Sequence, residues 1–524
     1  MRGQMHGYAG AQAWMDRRTN IDKMAELLFL DARIGPSPPD VPDGGNSAPS
    51  VAFVTLGCKV NQSDTQKAIA DFRSAGFRIV PPNAPADVYV VNTCSVTHVA
   101  DRKSRQWLRR AARVNPGALV VATGCYAESG RHVLAGMDEV DLIVGYRQKE
   151  DLLALVLERL EAEGHRRADR ARPQTAPAPA PVQPPLTHTP SWAGWEDGAG
   201  AEEGADPDTD FKSRTRAMVK VEDGCNDFCT FCIIPFTRGM PRSTPTAEVV
   251  SRVRRLLEAG YKEIVLTGVH MGKYGQDHAQ RKRARLDPAE APDLPALVRA
   301  VLDRTGVPRL RLTSVEPTDA VMLLPLLSDP AYRHRLAPHL HLPLQSGCDA
   351  TLRRMKRGYD TAQFAEVVRQ CREAVPGISI TTDLIVGFPG EDEHEWAQTV
   401  QFVQDMQFAR IHVFPYSQRP GTPAATMPAQ VPPDVKHART LQMMQISSRM
   451  EAAHAVRHLG MTLPVLWEQH QDGVWSGYTD NYLRVHTRCE LDLQNRITPA
   501  LLTAYDAQGL WAVVRSVDEQ DARG

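Results

Sequence analysis

The chain has 524 residues, and its 61 Lys plus Arg against 62 Asp plus Glu give a formal net charge of −1. This length exceeds one ordinary domain and predicts about two to four. The balanced charge excludes a protein that binds nucleic acid through its overall charge, so contacts of that kind would need local basic patches. Nine cysteines in so long a chain also exclude a small secreted disulfide framework.

The compartment is predicted from what the sequence lacks. No apolar run approaches the ~20 residues of a membrane-spanning helix. The amino terminus has no basic segment followed by an apolar core, as a signal peptide would have. Because unpaired thiols fit a reducing compartment, we expect a cytoplasmic protein with no membrane partner.

The predicted elements begin near residue 50. Residues 1–49 end in a run rich in Pro, Gly and Ser and are expected to be a disordered leader. The strand-like runs "VAFVTL", "ADVYVVN" and "ALVVATG" then alternate with helical segments. This alternation predicts βαβ units and a parallel sheet, so residues 50–164 should form an α/β domain of the flavodoxin or Rossmann type. Ser63 and Gln66 form a capping-box pattern that predicts the start of the first helix, with its end near Gly76.

The composition changes after this domain. Residues 165–213 are rich in Pro and Ala and then in acidic residues, which predicts a disordered linker because so little apolar surface cannot offset chain entropy. From residue 214 to 448 strands and helices alternate again, with six strand-like runs from "AMVKVE" to "ARIHVF". Residues 449–517 show short strands and turns, which predicts a small β-barrel, and residues 518–524 form a tail.

One local motif points to metal chemistry. Cys225, Cys229 and Cys232 lie within "DGCNDFCTFCIIPF". Three thiolates so close together can hold three irons of a four-iron cluster and leave the fourth open to a small molecule. A zinc site or three buried thiols are the alternatives, but zinc sites usually contain paired Cys-x2-Cys units and no second pair lies nearby.

A second set of cysteines is spread along the amino-terminal domain. Cys58, Cys94 and Cys125 each follow the carboxyl end of a predicted strand by one to three residues. Those ends share one edge of a parallel sheet, where open α/β sheets bind ligands, so the three thiols should converge. Small buried core residues are the alternative. The remaining cysteines, Cys348, Cys371 and Cys489, lack partners at usable spacing and are expected to be structural.

These motifs carry a family resemblance. The segment "DGCNDFCTFCIIPFTRGMPRS" resembles the methylthiotransferases of the radical S-adenosylmethionine (SAM) superfamily, and the resemblance extends over about residues 50–515, interrupted by the linker. It implies an open (βα)6 partial barrel in the centre and two [4Fe-4S] clusters. The cluster on Cys225, Cys229 and Cys232 would bind SAM at its open iron. The auxiliary cluster, on Cys58, Cys94 and Cys125, would carry or donate sulfur.

Other residues at the mouth of the predicted barrel are candidates for SAM or substrate contact. Glu316, Gln345 and Gly387 each follow a predicted strand. In barrels of alternating strands and helices, this face collects functional groups. The resemblance places these residues around cofactor and substrate, although each could equally be a structural hydrogen-bonding residue.

The resemblance also predicts the substrate. The segment "TLGCKVNQSD" is similar to the branch that acts on threonylcarbamoyladenosine in tRNA, whereas the isopentenyladenosine branch is nearer "GCQMN" and the ribosomal-protein branch nearer "LGCPKN". The carboxyl-terminal stretch "GYTDNYLRV" resembles the TRAM module, which usually contacts RNA. These similarities favour a tRNA methylthiotransferase.

Two basic groups are candidate RNA contacts. One lies on the helix after Cys94, where phosphate groups could bind cations, and comprises Arg102, Lys103, Arg105, Arg109, Arg110 and Arg113. A solvated helix face is the alternative. The TRAM-like module is mildly acidic, so its share of the RNA affinity is expected to be small or to be confined to a face that includes Arg484 and Arg488.

The resemblance implies an enzyme that inserts sulfur at carbon 2 of the modified adenosine. Because an unactivated aromatic C–H bond offers no acid–base route, the cofactors would carry this chemistry. The expected partners are tRNA, a flavodoxin- or ferredoxin-like electron donor and a sulfur source, and the protein is expected to be a monomer. Isopentenyladenosine or a ribosomal-protein aspartate are alternative substrates within the same family. A non-catalytic, zinc-stabilised RNA-binding protein is the alternative of another class.

Overall fold

The computed structural model describes residues 48–164, 215–277 and 293–514. The predicted linker, the predicted tail and nearly all of the predicted leader lie outside these residues. Within the described ranges, no helix combines the length and the apolar character needed to cross a membrane.

The amino-terminal domain contains a five-stranded parallel sheet with helices on both faces. Its strands are β1 (Ser50–Thr55), β2 (Arg78–Ile79), β3 (Val88–Thr93), β4 (Leu119–Gly124) and β5 (Leu142–Ile143). They pair in the order β2-β1-β3-β4-β5. The helices are α1 (Lys59–Ser74), α2 (His98–Val114), α3 (Cys125–Ser129), α4 (Arg131–Ala135) and α5 (Leu152–Gly164). Separate apolar clusters fill the two faces of the sheet, so its central strands are buried on both sides, as parallel sheets require.

The first helix begins earlier than the capping-box pattern predicted. Gly57 has a φ of 98°, which permits a tight turn directly after β1. Cys58 then occupies the N-cap position and α1 begins at Lys59. Ser63 lies inside the helix and is buried, so the predicted start was wrong.

The central domain is an open barrel of six parallel strands. They are β6 (Arg216–Lys220), β9 (Glu263–Thr267), β10 (Arg309–Leu312), β11 (His339–His341), β12 (Ser379–Val386) and β13 (Arg410–Pro415), and a short hairpin of β7 (Glu222–Asp223) and β8 (Arg242–Ser243) follows β6. The barrel strands form two three-stranded sheets, β6-β9-β10 and β11-β12-β13. Single parallel bridges at Leu310–Leu336 and Ser314–His341 connect the two. This arrangement confirms the predicted partial barrel.

Helices surround this barrel and bury their apolar faces against it. They are α6 (Ile234–Thr237), α7 (Thr246–Glu258), α8 (Leu294–Arg304), α9 (Pro317–Ala320), α10 (Leu324–Ser328), α11 (Asp349–Met355), α12 (Thr361–Ala374), α13 (Glu393–Met406) and α14 (Pro433–Val456). In α7, for example, Val249, Val250 and Val253 recur at helical spacing and are buried. Cys371 on α12 is buried in the same core, in agreement with a packing role.

The carboxyl-terminal domain is a small closed barrel. Its strands are β14 (Thr462–Gln471), β15 (Val474–Thr479), β16 (Arg484–Thr487), β17 (Ile497–Asp506) and β18 (Gly509–Val514), closed in the order β14-β15-β16-β18-β17. The fully buried Trp467 lies in its core. The expected domain boundary at residue 449 falls inside α14, and the first barrel strand begins at Thr462.

A buried ionic group joins the two barrels; we call Glu263, Arg309 and Arg311 the floor network. The Nε of Arg311 donates to Oε1 of Glu263 at 2.6 Å. Outward from this pair, the arginines donate to backbone carbonyls of the small barrel. Arg309 reaches Pro464 O at 2.9 Å, and Arg311 reaches Asp480 O at 2.9 Å. The floor of the central barrel is thus closed by the β15–β16 hairpin.

Candidate iron–sulfur sites

The structure places the three amino-terminal cysteines at one edge of the sheet. Cys94 directly follows β3, Cys125 directly follows β4, and Cys58 lies just beyond β1. These strands are neighbours in the sheet. A Cβ atom on Gly57 would lie 2.7 Å from Cys94 Sγ, so the sulfur abuts the turn that precedes Cys58. We call Cys58, Cys94 and Cys125 the amino-terminal triad.

The thiols of this triad influence one another electrostatically. Burial, and then the proximity of Cys125 and Cys58, raise the pKa of Cys94 to about 12, because thiolates repel each other. Burial also raises the pKa of Cys125, whereas the adjacent Arg238 lowers it. Cys58 is exposed while the other two are buried. The three sulfurs therefore form one group that opens to solvent at Cys58.

Arg238 connects the amino-terminal triad to the central domain. Its side chain is only 1% exposed. Nε donates to Cys125 Sγ at 3.3 Å, Nη1 donates to Asp223 Oδ1 at 2.8 Å, and Nη2 donates to the Asn61 side chain. A charged hydrogen bond to sulfur stabilises the thiolate form. Lys149 and Lys220 also bind Asp223, each at 2.8 Å, so the junction is a buried ionic network.

The second group of cysteines lies in the loop between β7 and α6; we call Cys225, Cys229 and Cys232 the loop triad. Backbone hydrogen bonds fold this loop back on itself, with Cys232 N donating to Cys229 O at 3.0 Å and Cys225 N to Gly239 O at 3.0 Å. Burial raises the pKa of Cys232 to about 12, and the neighbouring Cys229 and Cys225 contribute. The loop therefore brings three mutually repelling thiols together.

Arg357 donates a hydrogen bond to the loop triad, as Arg238 does to the amino-terminal triad. Its Nη1 donates to Cys229 Sγ at 3.2 Å, and its Nη2 binds the carboxylate of Glu316. Burial raises the pKa of Cys229, and Arg357 opposes that rise. Each triad thus has one buried guanidinium that donates to one sulfur.

His270 adds a further charge beside the loop triad. Its ring lies between two carboxylates, with Nδ1 2.6 Å from Asp227 Oδ2 and Nε2 2.8 Å from Asp319 Oδ2. Burial lowers its pKa, but these hydrogen bonds prevail and raise it to about 12. Nδ1 is also 3.9 Å from Cys225 Sγ. Ligand atoms of Cys225, Asp227 and His270 lie within 4.8 Å of one another, which a single metal ion could also use.

The donor sets fit iron–sulfur clusters. All nine cysteines are free thiols, and six of them form two groups of three. Neighbouring thiolates help to raise the pKa of Cys94 in one group and of Cys232 in the other, so a positive metal centre is needed to hold all three thiols of a group ionised. Thiolates are the ligands that iron–sulfur clusters take, and three of them leave one iron available for another ligand.

The three barrel-mouth candidates lie in different surroundings. Glu316 is held beside the loop triad by Arg357. Gln345 has a φ of 67° and lies where β11 leads into the barrel mouth, its backbone paired with Leu384. The N–H of Gly387 donates to Glu391 Oε1 at 3.0 Å, and a Cβ there would lie 2.4 Å from Lys436 Cγ. The close Lys436 side chain and a φ of 71° together account for the glycine at position 387.

The predicted RNA contacts lie on exposed surfaces. Several cations of α2 have local partners, since Arg105 donates to the Tyr126 hydroxyl at 2.6 Å and Arg110 stacks 4.8 Å from the Trp107 ring. Arg109 lies 3.7 Å from Glu139. In the small barrel, Arg484 is exposed on β16 and Arg488 lies 5.1 Å over Trp511.

Sequence reasoning missed Arg238, Arg357 and His270. Arg238 follows the cysteine motif closely in "PFTRG", so a cation near the thiolates was a usable signal. Arg357 and His270 lie far from their sulfur partners in sequence and belong to no local pattern. Only the closure of the barrel brings them to the loop triad.

Two family models match separate parts of the chain. Residues 50–145 match the uncharacterized protein family UPF0004, and residues 219–403 match the radical SAM superfamily. Among solved structures, the radical SAM methyltransferase TsrM from Kitasatospora setae aligns at 14% identity with a TM-score of 0.44, covering 82% of this chain and 77% of that one.

Curated relatives are much more similar. The threonylcarbamoyladenosine tRNA methylthiotransferase MtaB of Bacillus subtilis is 37% identical, over 86% of this chain and 92% of the relative. The protein of the same name from Aquifex aeolicus is 35% identical, over 79% and 92%. The tRNA-2-methylthio-N(6)-dimethylallyladenosine synthase of Syntrophobacter fumaroxidans is 33% identical, over 87% and 94%. The chain therefore belongs to the radical SAM methylthiotransferase family.

Proposed function

We propose that the protein is a tRNA methylthiotransferase that converts threonylcarbamoyladenosine next to the anticodon to its 2-methylthio derivative. One observation carries this proposal: Arg238, from the segment that follows the loop triad, hydrogen-bonds to Cys125 of the amino-terminal triad. A buried contact that holds the amino-terminal triad against the segment following the loop triad is what a reaction that uses both centres on one nucleoside requires. The similarity to relatives named for threonylcarbamoyladenosine supports this substrate.

In this proposal each triad binds one cluster, and the two clusters have different roles. Cys225, Cys229 and Cys232 hold a [4Fe-4S] cluster with SAM, and a second [4Fe-4S] cluster is held by Cys58, Cys94 and Cys125. Bound there, these groups supply the radical and sulfur chemistry that side chains cannot provide for an aromatic C–H bond. A flavodoxin- or ferredoxin-like electron donor and a separate sulfur source complete the reaction.

The protein's own residues position and shield these centres. Arg357 donates to Cys229 and holds Glu316 beside the loop triad. Arg238 donates to Cys125 and to Asp223, and so holds the amino-terminal triad against the central domain. Both guanidiniums are almost fully buried, which excludes water from one side of each triad. The exposed Cys58 leaves the amino-terminal triad open to substrate.

Mass spectrometry of tRNA nucleosides after gene deletion tests the substrate. We expect 2-methylthio-threonylcarbamoyladenosine to disappear, threonylcarbamoyladenosine to accumulate, and the wild-type gene to restore the product. Genes carrying Cys58→Ala or Cys229→Ala should fail to restore it. Loss of the methylthiolated dimethylallyl nucleoside instead would refute the proposed substrate.

Anaerobic reconstitution tests the enzyme class. Two clusters of the four-iron type predict about eight irons per chain. Substituting one triad should halve that content, and SAM cleavage should persist only when the loop triad remains. Bound zinc without SAM cleavage would instead support a non-catalytic RNA-binding protein.

A further inference from the structure

Lys59, which directly follows Cys58, reaches the interior of the central barrel. It is the first residue of α1, and α1 packs against β6 beside the gap in the open barrel. The side chain is half-buried, and its Nζ lies 5.9 Å from the ring centroid of Tyr482. Tyr482 belongs to the β15–β16 hairpin that closes the barrel floor. A cation of the amino-terminal domain therefore faces the chamber between the domains.

Three cations converge on Tyr482, and two of them are neutralised. Arg216 binds Glu468 with an N–O distance of 2.6 Å. Arg311 binds Glu263 at 2.6 Å. For Lys59, no carboxylate oxygen lies within 4.0 Å anywhere in the described part of the chain. The chamber thus contains one cation whose charge is not compensated by direct contact.

The neighbouring carboxylate makes no direct contact with Lys59. Asp383 is near enough for Lys59 to lower its pKa, but its direct partner is His341, with Nε2 3.2 Å from Oδ2. Burial raises the pKa of Asp383, yet its interaction with His341 and with other nearby basic groups lowers it overall. Burial likewise raises the pKa of Tyr482, and Lys59, Arg216 and Arg311 lower it overall. Both shifts indicate a positive potential, which would attract an anion.

Threonylcarbamoyladenosine and dimethylallyladenosine differ in the charge of the substituent on N6. In a threonylcarbamoyl group the amine of threonine is bonded to the carbamoyl carbon, so its carboxylate remains free and negative. A dimethylallyl group is an uncharged hydrocarbon. Both groups are attached to N6, the amino nitrogen on carbon 6 of adenine, and carbons 6 and 2 flank the same ring nitrogen. A base with carbon 2 at the amino-terminal triad therefore places its N6 substituent near the residue beside Cys58.

We propose that Lys59 binds the carboxylate of the threonylcarbamoyl group and thereby selects this nucleoside over the dimethylallyl one. This inference rests on the proposed function and adds a specificity-determining residue to it. A fully exposed lysine would contribute little to affinity. A half-buried lysine without another carboxylate partner forms a stronger charged hydrogen bond with the ligand than an exposed one does.

The test varies both partners of the proposed contact. The substrates are anticodon stem-loop RNAs that carry threonylcarbamoyladenosine, its threonine carboxamide analogue, or dimethylallyladenosine. The enzymes are the reconstituted wild type, Lys59→Gln, Lys59→Arg, and Lys67→Gln as the matched control. Lys67 lies on the same helix but is 52% exposed and pairs with Glu150 at the surface. Dissociation constants and kcat/KM are measured for every combination, with iron content for each variant.

The expected result is a loss of affinity confined to one combination, Lys59→Gln with the carboxylate RNA. Lys59→Gln should weaken binding of the carboxylate RNA roughly 10- to 100-fold, the value of a charged hydrogen bond, and leave the carboxamide RNA nearly unchanged. Lys59→Arg should retain most of the affinity, and Lys67→Gln should match wild type. Iron content should be the same in all four proteins.

Three results would overturn the inference. Equal losses for all three RNAs, or a fall in iron content in Lys59→Gln, would show that the lysine supports Cys58 instead. No loss for any of the three RNAs would show that it plays no part in recognition. Failure of the wild type on threonylcarbamoyladenosine together with activity on dimethylallyladenosine would instead refute the proposed function itself.

Discussion

The Nε of Arg238 donates to Cys125 Sγ at 3.3 Å, although the two residues belong to different domains. The same guanidinium binds Asp223, which follows the first strand of the central barrel. Because hydrogen bonds to ligand sulfurs raise the reduction potential of a cluster and hold its ligands in place, this contact should matter to the amino-terminal triad in particular.

Arg238→Gln should weaken the amino-terminal cluster selectively. In a protein whose loop triad is replaced by alanine, about four irons per chain should remain, and adding Arg238→Gln should lower that number and the reduction potential. Iron analysis and electron paramagnetic resonance with a redox titration measure both quantities. Arg242→Gln is the matched control, since Arg242 is exposed and binds Tyr146 across the same junction. Identical iron content and potential in the two variants would contradict the prediction.

A second buried contact between the domains should contribute to stability. Arg419 of the central domain binds Asp101 of α2, and their side chains are only 5% and 10% exposed. Arg419→Met leaves a buried carboxylate without its partner and should lower the free energy of unfolding by about 3–5 kcal/mol. Denaturant unfolding measures the change.

The double variant Asp101→Leu with Arg419→Met serves as the control for this pair. It removes both charges and should recover much of the stability, because well-packed apolar residues often replace a buried ion pair without loss. A double variant as unstable as the single one would indicate that packing at Arg419, rather than its charge, is what matters.

Glu263 should make the floor network sensitive to acid. Burial raises its pKa, but Arg311 and Arg309 prevail and lower it to about 2 from the ordinary value of 4.5. A carboxylate with a lowered pKa contributes stability that is complete above 4.5 and is lost as the pH falls toward 2. The stability gap between wild type and Glu263→Gln should therefore shrink by about 3 kcal/mol across this interval. Denaturant unfolding of the cluster-free proteins at several pH values measures it, and a constant gap would contradict the assignment.

The two basic surfaces should differ in their importance for tRNA. Reversing the charges of Arg109 and Arg110 on α2 should lower tRNA affinity more than reversing those of Arg484 and Arg488. The first pair belongs to a larger group of cations, whereas the small barrel is mildly acidic. Filter binding at several salt concentrations gives both the affinity and its salt dependence. Equal losses, or the opposite order, would show that the small barrel carries the main RNA contact.

The sequence predicts the parts of this fold that follow from periodicity. Buried strands alternate with helices in both large domains, so the parallel sheets and the positions of Cys94 and Cys125 directly after strands could be inferred. The start of α1 could not. Ser63 and Gln66 match a capping box, but the turn at Gly57 starts the helix sooner, and that turn is set by packing against Cys94.

Contacts between distant segments limit such prediction at the site as well. The loop triad is local in sequence and was recognised from its spacing alone. Arg357 reaches Cys229 only because the strands between them form a barrel, and no short pattern encodes that approach. The same is true of Lys59, whose position next to Cys58 was visible but whose partner across the chamber, Tyr482, lies in another domain.

The small barrel meets the floor network through main-chain oxygens, those of Pro464 and Asp480 among them. Ending the chain before Thr462 would remove the small barrel and expose Arg309 and Arg311 to solvent, with Glu263 as the one carboxylate that they share. A loss of activity in such a protein would therefore not isolate the contribution of nucleic-acid binding. Point substitutions are the sounder tool. Outward-facing side chains such as Arg484 can be exchanged one at a time while the oxygens that cap the arginines stay where they are.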